Sequence, residues 1–305
     1  MSLAYLGPQG TFSESAALAV ANQETLYPYS TVDSALDAVR RERVSGAVVP
    51  IENSVEGSVS ATLDALAEGD SLVISKEIVL PVRFALLVKQ QLQLDEIRQV
   101  STHPHAQAQC RGWLASHLPA ANILPAASTA EAASSLQKGT SNTDAVIASA
   151  RAAEIHNLKI LVDDIGDNRE ATTRFVLVTK PGKLSEVTGS DKTSLVLYMR
   201  DNHPGALLEI LTEFAVRGVD LSRIESRPTK KSLGDYTFSV DIIGHINEAR
   251  VGEALMGLHR VCADVRFLGS YPRYEKVTTK MKQGSTEHDH LEAVNWLERI
   301  RKGLH

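Results

Sequence analysis

Four short stretches within the first 180 residues of this 305-residue chain collect the groups that chemistry on a small acid requires. Gly7-Pro8-Gln9-Gly10-Thr11-Phe12-Ser13 follows an apolar run and opens an amphipathic one. Bare N–H groups at such a junction, aided by the helix dipole, form an anion site suited to a carboxylate or phosphate. Residues 50–58 (PIENSVEGS) set a dense run of polar groups after another apolar run, and in open α/β sheets ligands collect outside the carboxyl ends of strands. Ser101-Thr102-His103-Pro104-His105-Ala106 has the same strand-to-helix character. Thr172-Thr173-Arg174-Phe175 leads into an apolar strand, where a hydroxyl beside a guanidinium pairs a proton donor with a carboxylate clamp. Read singly, each has an ordinary counterpart: a Gly-Pro turn into a capped helix, a polar surface loop, a loop entering a helix, a β-branched strand start with a surface arginine.

Other chemistries have no footing. There is no GxGxxG, and the glycines at 7 and 10 have the wrong spacing for dinucleotide binding. A GxxxxGK[ST] phosphate loop and a GxSxG nucleophile elbow are also absent. His103 and His105 have no cysteine or carboxylate close in sequence to complete a metal site, and Glu287-His288-Asp289-His290 is metal-like in composition only. Cys110 lies in a helical segment rich in Ala and Gln and reads as an inert buried thiol. No metal and no cofactor is expected.

Composition sets the frame. Apolar residues make up 43% and charged residues 23%, enough for a sizeable core and against wholesale disorder. The 37 acidic residues outnumber 32 Lys and Arg, a formal charge of −5 with no general footprint for nucleic acid or an anionic membrane. Two cysteines without metal or redox spacing suggest a reducing compartment. The opening MSLAYLGPQG lacks a basic segment followed by an apolar run, and no stretch approaches the ~20 apolar residues of a spanning helix. A cytoplasmic protein without a signal peptide is expected.

The elements that must position the four stretches alternate. Short β-type runs at 3–6, 25–29, 47–51, 72–78, 84–88, 145–148 and 175–179 interleave with amphipathic runs at 13–21, 32–42, 61–68, 106–116, 130–137 and 150–156. Thr31, Ser60 and Ser128 or Thr129 are suited to cap helices. Residues 181–192, rich in Pro, Gly and Ser, form a linker. Beyond it, 193–270 carries strand, helix, two strands, helix and strand, the ferredoxin-like βαββαβ order. Residues 271–305 form a polar tail in which Leu291, Val294, Leu297, Ile300 and Leu304 recur at helical spacing, predicting a short amphipathic helix.

Taken together, GPQGTFS (7–13), PIENSVEGSV (50–59), STHPHAQAQC (101–110) and TTRFVLV (172–178) give residues 1–180 a sequence that resembles the prephenate dehydratases. Asn202-His203-Pro204-Gly205-Ala206-Leu207-Leu208 and Ile224-Glu225-Ser226-Arg227-Pro228 resemble the ACT regulatory domain fused to those enzymes. The resemblance implies an α/β fold: two lobes flanking a cleft, like type II periplasmic binding proteins, with the chain crossing between lobes twice, then the ACT domain. It implies conversion of prephenate to phenylpyruvate in phenylalanine biosynthesis, feedback inhibition by phenylalanine, and a homodimer or homotetramer formed through ACT domains. No chorismate mutase segment is expected ahead of it. Relatives often carry a histidine near Phe84, so no histidine is given a catalytic role there.

Site roles follow from the resemblance. Thr173, the threonine of the TRF motif, is expected to hydrogen-bond the departing oxygen, and Arg174 to hold a carboxylate. Thr11, Ser13 and the N–H groups near Gly10 act as neutral helpers, Asn53 and Ser54 orient the far end of the substrate, and Phe175 completes the site. Glu52 reads as structural, while Glu56 would repel a dianion unless turned away or protonated. Phenylalanine is expected between paired ACT domains, on Asn202, Gly205, Ala206 and Leu207 of one and Glu225, Ser226 and Arg227 of the other. Two alternatives remain at this level: a two-lobed amino-acid sensor without chemistry, which would not need a hydroxyl beside Arg174, and an arogenate dehydratase.

Overall fold

The computed structural model describes residues 1–229, 235–277 and 281–304. It divides into two compact units, residues 1–62 with 78–177 and residues 63–77 with 178–305.

The chain opens with β1 (Ser2–Leu6), α1 (Phe12–Val20), β2 (Thr25–Tyr29), α2 (Val32–Arg40), β3 (Gly46–Asn53), β4 (Gly57–Ser58), α3 (Ser60–Ala67) and β5 (Val73–Pro81). It continues through β6 (Ala85–Val88), β7 (Gln99–Thr102), α4 (Pro104–Gln109), α5 (Arg111–His117), β8 (Asn122–Pro125), α6 (Thr129–Lys138), β9 (Ala145–Ala148), α7 (Ala150–His156) and β10 (Lys159–Val162), and returns in β11 (Thr172–Thr179). One sheet has the order β2-β1-β3-β11-β5 with β4 hairpinned onto β3; the other runs β10-β6-β9-β7-β8. The strands at the crossings sit side by side within the sheets, β5 with β11 and β6 with β10, and the chain passes between sheets twice, after β5 and before β11. This is the two-lobed arrangement of type II periplasmic binding proteins. The two crossings run together: Val82 N–H donates to Ala171 O and Ile165 N–H to Phe84 O, each at 2.8 Å.

Local sequence explains most elements. Thr31 caps α2 in a reciprocal box with Ser34, and Ser128 accepts the Glu131 N–H at the start of α6. Strands β6 and β9 are wholly buried, as continuous apolar runs between covered faces should be. Strands β7, β8 and β10, four residues each and opening on a polar residue, lie outside the runs read from the sequence. Ser60 opens α3 rather than preceding it. The single helix expected over 106–116 is two helices broken at Cys110. Asp167, on the return crossing, accepts the Gly112 and Trp113 N–H groups at 2.7 and 2.9 Å and starts a new helix there.

The second unit carries β12 (Asp191–Tyr198), α8 (Ala206–Ala215), β13 (Leu221–Pro228), β14 (Tyr236–Ile243), α9 (Ala249–Val261) and β15 (Asp264–Pro272). Its antiparallel sheet has the order β13-β14-β12-β15, the ferredoxin-like βαββαβ topology. Leu195, Leu197, Val240 and Ile242 on the sheet pack with Ile210, Phe214, Val251 and Leu258 of the helices. The chain then forms α10 (Glu287–Arg301), longer than a short tail helix.

Candidate active site

The two lobes of the first unit enclose a cavity of about 410 Å³, within the ~300–1,000 Å³ usual for small-molecule sites. Three of the four motifs flagged in the sequence supply much of its wall, and the fourth supplies Thr173 and Phe175.

Strand β11 is buried at Thr173, Arg174 and Phe175, and its alternation decides their roles. Thr173 and Phe175 line the cavity, while Arg174 points to the other face and places Nη1 3.4 Å from the Glu52 carboxylate. Arg174, expected to hold a substrate carboxylate, sits in an ion pair with the neighbouring strand and is not among the residues lining the cavity. Glu52, expected to be structural or to orient a neighbour, is the carboxylate of that pair.

Asn53, at the end of β3, donates from Nδ2 to Thr173 Oγ1 at 2.9 Å. Its amide cannot turn over without loss, because Oδ1 accepts the Val55 and Glu56 N–H groups at 2.8 and 3.1 Å. That closes an Asx-type turn into the β3–β4 hairpin, where Gly57 takes φ +84°. Ser54 stitches the hairpin to β11: its N–H donates to Thr172 O, and its hydroxyl accepts the Thr172 N–H, both at 2.9 Å. Ser54, expected to orient the substrate, is not among the residues lining the cavity and makes these strand contacts instead. The result is that residues 120 positions apart meet with Thr173 Oγ1 as acceptor and its own O–H left to donate.

The anion site foreseen at the Gly7–Ser13 turn is filled by the chain itself. Gly10 N–H donates to Glu14 Oε2 at 2.8 Å, and the buried Glu14 lies 3.6 Å from Arg151 Nε. Gly10 takes φ +87°, and a Cβ there would stand only 3.2 Å from Ala152 Cα, so backbone and space both favour glycine. Thr11 lines the cavity, yet its hydroxyl accepts the Glu14 N–H and faces Leu6 and Pro8 carbonyls; it shapes the turn. Ser13 is buried and lines the cavity in the first turn of α1.

The facing lobe contributes groups that the sequence reading left out of the site: His103, His105 and Gln109 of the β7–α4 junction, and Ser128 and Thr129 at the start of α6. The HPH motif and the Ser128 cap were their only signals. Glu56, reaching from the hairpin, pairs with His105 Nδ1 at 2.6 Å and accepts from Gln109 Nε2 at 3.0 Å. Its carboxylate is thus turned to hydrogen-bond partners on the opposite lobe. His103 accepts the His105 N–H through Nδ1, a role that requires a neutral ring. Burial first, then the neighbouring His105, holds the His103 imidazole below the usual histidine range against the pull of Glu56. His103 and His105 are the only lining side chains that can carry positive charge among the described residues. An apolar wall completes the space: Phe12 stands edge-on to Phe84 at 5.7 Å, beside Val59, Val82 and Phe175. Cys110 plays no part, since burial and the Asp167 carboxylate push its thiol up to about 12. No group of three or more histidines, cysteines or carboxylates suited to a metal occurs among the described residues.

In the second unit, Gly205 takes φ +97° as the cap residue of α8. Ala206 lines a small cavity of about 110 Å³ with Arg200, Asp201, His203 and Glu209. Arg227 on β13 is engaged: its guanidinium meets the Asp64 carboxylate in two hydrogen bonds of 3.0 and 3.2 Å. It is thus committed within its own chain rather than held out for a ligand. Glu225 and Ser226 share that edge strand.

Geometry of this kind defines an α/β domain with a polar, small-molecule-sized cavity between its two lobes, followed by a ferredoxin-like module. Comparison with known proteins makes that specific. The family model for prephenate dehydratase matches residues 3–183, and that for the ACT domain matches residues 193–260. A prephenate dehydratase of Amycolatopsis methanolica is 44% identical over 303 residues, covering 99% of this chain and 98% of its own. The crystal structure of the Arthrobacter aurescens prephenate dehydratase in complex with L-Phe is 46% identical, with a TM-score of 0.95 over 99% of this chain and 100% of that one. A structure described as a novel type of quorum quenching acylase is 30% identical, with a TM-score of 0.81 over 90% and 99%. The chain belongs to the prephenate dehydratase family and carries an ACT domain; it is a lyase of phenylalanine biosynthesis.

Proposed function

We propose that this enzyme converts prephenate to phenylpyruvate in the 410 Å³ cavity, with Thr173 as the hydrogen-bond donor to the departing hydroxyl. The observation that carries the reading is the Asn53–Thr173 hydrogen bond. With Oγ1 accepting from a locked amide, the Thr173 proton is directed away from Asn53 and the hydroxyl is polarised as a donor. In the reaction the ring C–CO₂⁻ bond breaks and its electron pair enters the ring. The C–O bond leaves with its own pair, and one proton reaches that oxygen, giving CO₂, water and an aromatic ring. A threonine hydroxyl is too weak an acid to supply that proton alone. Its contribution is preorganised placement where charge develops.

The rest of the cavity suits a dianion without a buried arginine. First-turn N–H groups of α6 and the hydroxyls of Ser13, Ser30, Ser128 and Thr129 can hold one carboxylate. The carboxylate that leaves is better placed against Phe12, Phe84 and Phe175, where loss of charge is favoured. Arg174 and Ser54 serve by holding strand and hairpin together.

Phenylalanine acts as feedback inhibitor through the ACT domain, on the loop bearing Asn202, Gly205, Ala206 and Leu207, with Glu225 and Ser226 from the β13 strand of a second copy. Two features support this: Gly205 takes a left-handed backbone at the start of α8 with no side-chain cap, and β13 is an edge strand. The assembly is a homodimer or homotetramer, and the enzyme is cytoplasmic; no helix of the described residues is long and apolar enough to cross a membrane.

The test is purified enzyme with prephenate, followed by phenylpyruvate formation with and without phenylalanine. Phenylpyruvate that falls when phenylalanine is added is the expected result. Preference for arogenate, or no phenylpyruvate at all, overturns the substrate assignment.

A further inference from the structure

The β3–β4 hairpin that carries Asn53 has a tip with no buried residue: positions 54–57 are all exposed. A tip of that kind draws its order from polar contacts rather than from packing. One set of those contacts comes from the facing lobe. The Glu56 carboxylate meets His105 Nδ1 at 2.6 Å through Oε2 and accepts from Gln109 Nε2 at 3.0 Å through Oε1. A carboxylate only accepts, so His105 Nδ1 carries a proton in this contact whatever the charge of the ring.

Both donors belong to α4, which is fixed independently of the hairpin. The His103 ring stands edge-on to the His105 ring at 4.8 Å and accepts the His105 N–H through Nδ1 at 3.2 Å. At the other end of the helix Gln109 O accepts the Asp167 N–H at 2.7 Å. From Glu56 the contact reaches the reacting end in two steps. Glu56 N–H donates to Asn53 Oδ1 at 3.1 Å, and Asn53 Nδ2 donates to Thr173 Oγ1 at 2.9 Å.

We propose that His105 is a positioning residue for the dehydration. It braces Glu56 from the facing lobe, Glu56 holds the Asn53 amide in one orientation, and that amide leaves the Thr173 O–H to donate. His105 makes no bond to the substrate in this role and moves no proton. The inference rests on Thr173 as the donor to the departing hydroxyl. An exposed pair of this kind adds little to stability. Its weight falls on kcat, because orienting a donor where charge develops stabilises the transition state more than the bound substrate.

The test is steady-state kinetics of the full chain with prephenate, paired with hydrogen exchange at the Val55 and Glu56 amides. His105→Phe keeps a ring against His103 and removes the Nδ1 proton. It should lower kcat about fivefold with KM little changed, and speed exchange at both amides by a similar factor. His105→Asn, whose amide nitrogen stands where Nδ1 stood, should return both readings toward wild type. In an Asn53→Ala background His105→Phe should cost nothing further, because the step it acts through is already gone. Losses that multiply in the double variant would put His105 on the substrate itself and overturn the proposal, as would an Asn variant no better than the Phe variant. Full turnover in Thr173→Val would sink the Thr173 assignment and this proposal with it. Quickened exchange at an unchanged kcat in His105→Phe would overturn the proposal alone, since the brace would then hold the hairpin without serving catalysis.

Discussion

Strands β11 and β13 make the same offer in sequence and deliver different things. Each sets a hydroxyl directly before an arginine, Thr173-Arg174 in one and Ser226-Arg227 in the other, and each reads as a ligand clamp. In both, the arginine is taken by a carboxylate of its own chain, Glu52 and Asp64 respectively. The difference lies in the sheet. β11 runs between β3 and β5 with both faces covered, so alternation turns Thr173 and Phe175 into a cavity and Arg174 into the packed layer. β13 is an edge, its residues alternate between half-buried and exposed, and Ser226 faces outward. A central strand builds a site by itself, whereas an edge strand waits for a neighbour.

The largest effect that would break this contrast is at Thr173. Thr173→Val should lower kcat by about 10²–10³ while Thr173→Ser keeps most of it; full turnover in the valine variant would remove the cavity strand from catalysis. Arg174→Met should act on stability instead, costing about 1–3 kcal/mol in urea unfolding because Glu52 loses its partner, with KM for prephenate little changed. A KM raised as strongly as kcat is lowered would return the arginine to the substrate. Asn53→Ala should reduce kcat about tenfold, the loss of one hydrogen bond that orients the Thr173 proton, measured as a kcat change larger than any in KM. Gly205→Val tests the other region: a β-branched residue at φ +97° distorts the α8 start, so phenylalanine should inhibit about tenfold less while basal turnover stays.

The smallest effect concerns pH. His103 has its folded pKa depressed, so its neutral ring favours the folded state above the unfolded histidine pKa. That contribution is lost as pH falls toward the folded value, because the unfolded chain then binds more protons. His103→Asn, which keeps a cap for α4, should make stability fall less steeply between pH 7 and pH 5, as urea midpoints would record. An unchanged slope would mean that burial of this ring has no thermodynamic weight.

The sequence alone determined a good deal. Periodicity located the βαββαβ module, and strands 25–29 and 145–148 fall where their apolar runs end, because those signals are local. Four motifs named the pieces of one site and a family to go with them. What no local signal carried was which side chains the site uses. Gly10 N–H goes to Glu14, Ser54 to Thr172 and Arg174 to Glu52, all of them internal partners that a linear reading mistakes for ligand contacts. His103, His105, Ser128 and Thr129 join the cavity only because a second lobe brings them there. A motif states that a group is present; whether it faces ligand or its own chain depends on strand alternation and on charges 50 to 120 residues away. That pairing is settled by packing, since a buried arginine or carboxylate takes whichever partner the fold puts within hydrogen-bond reach.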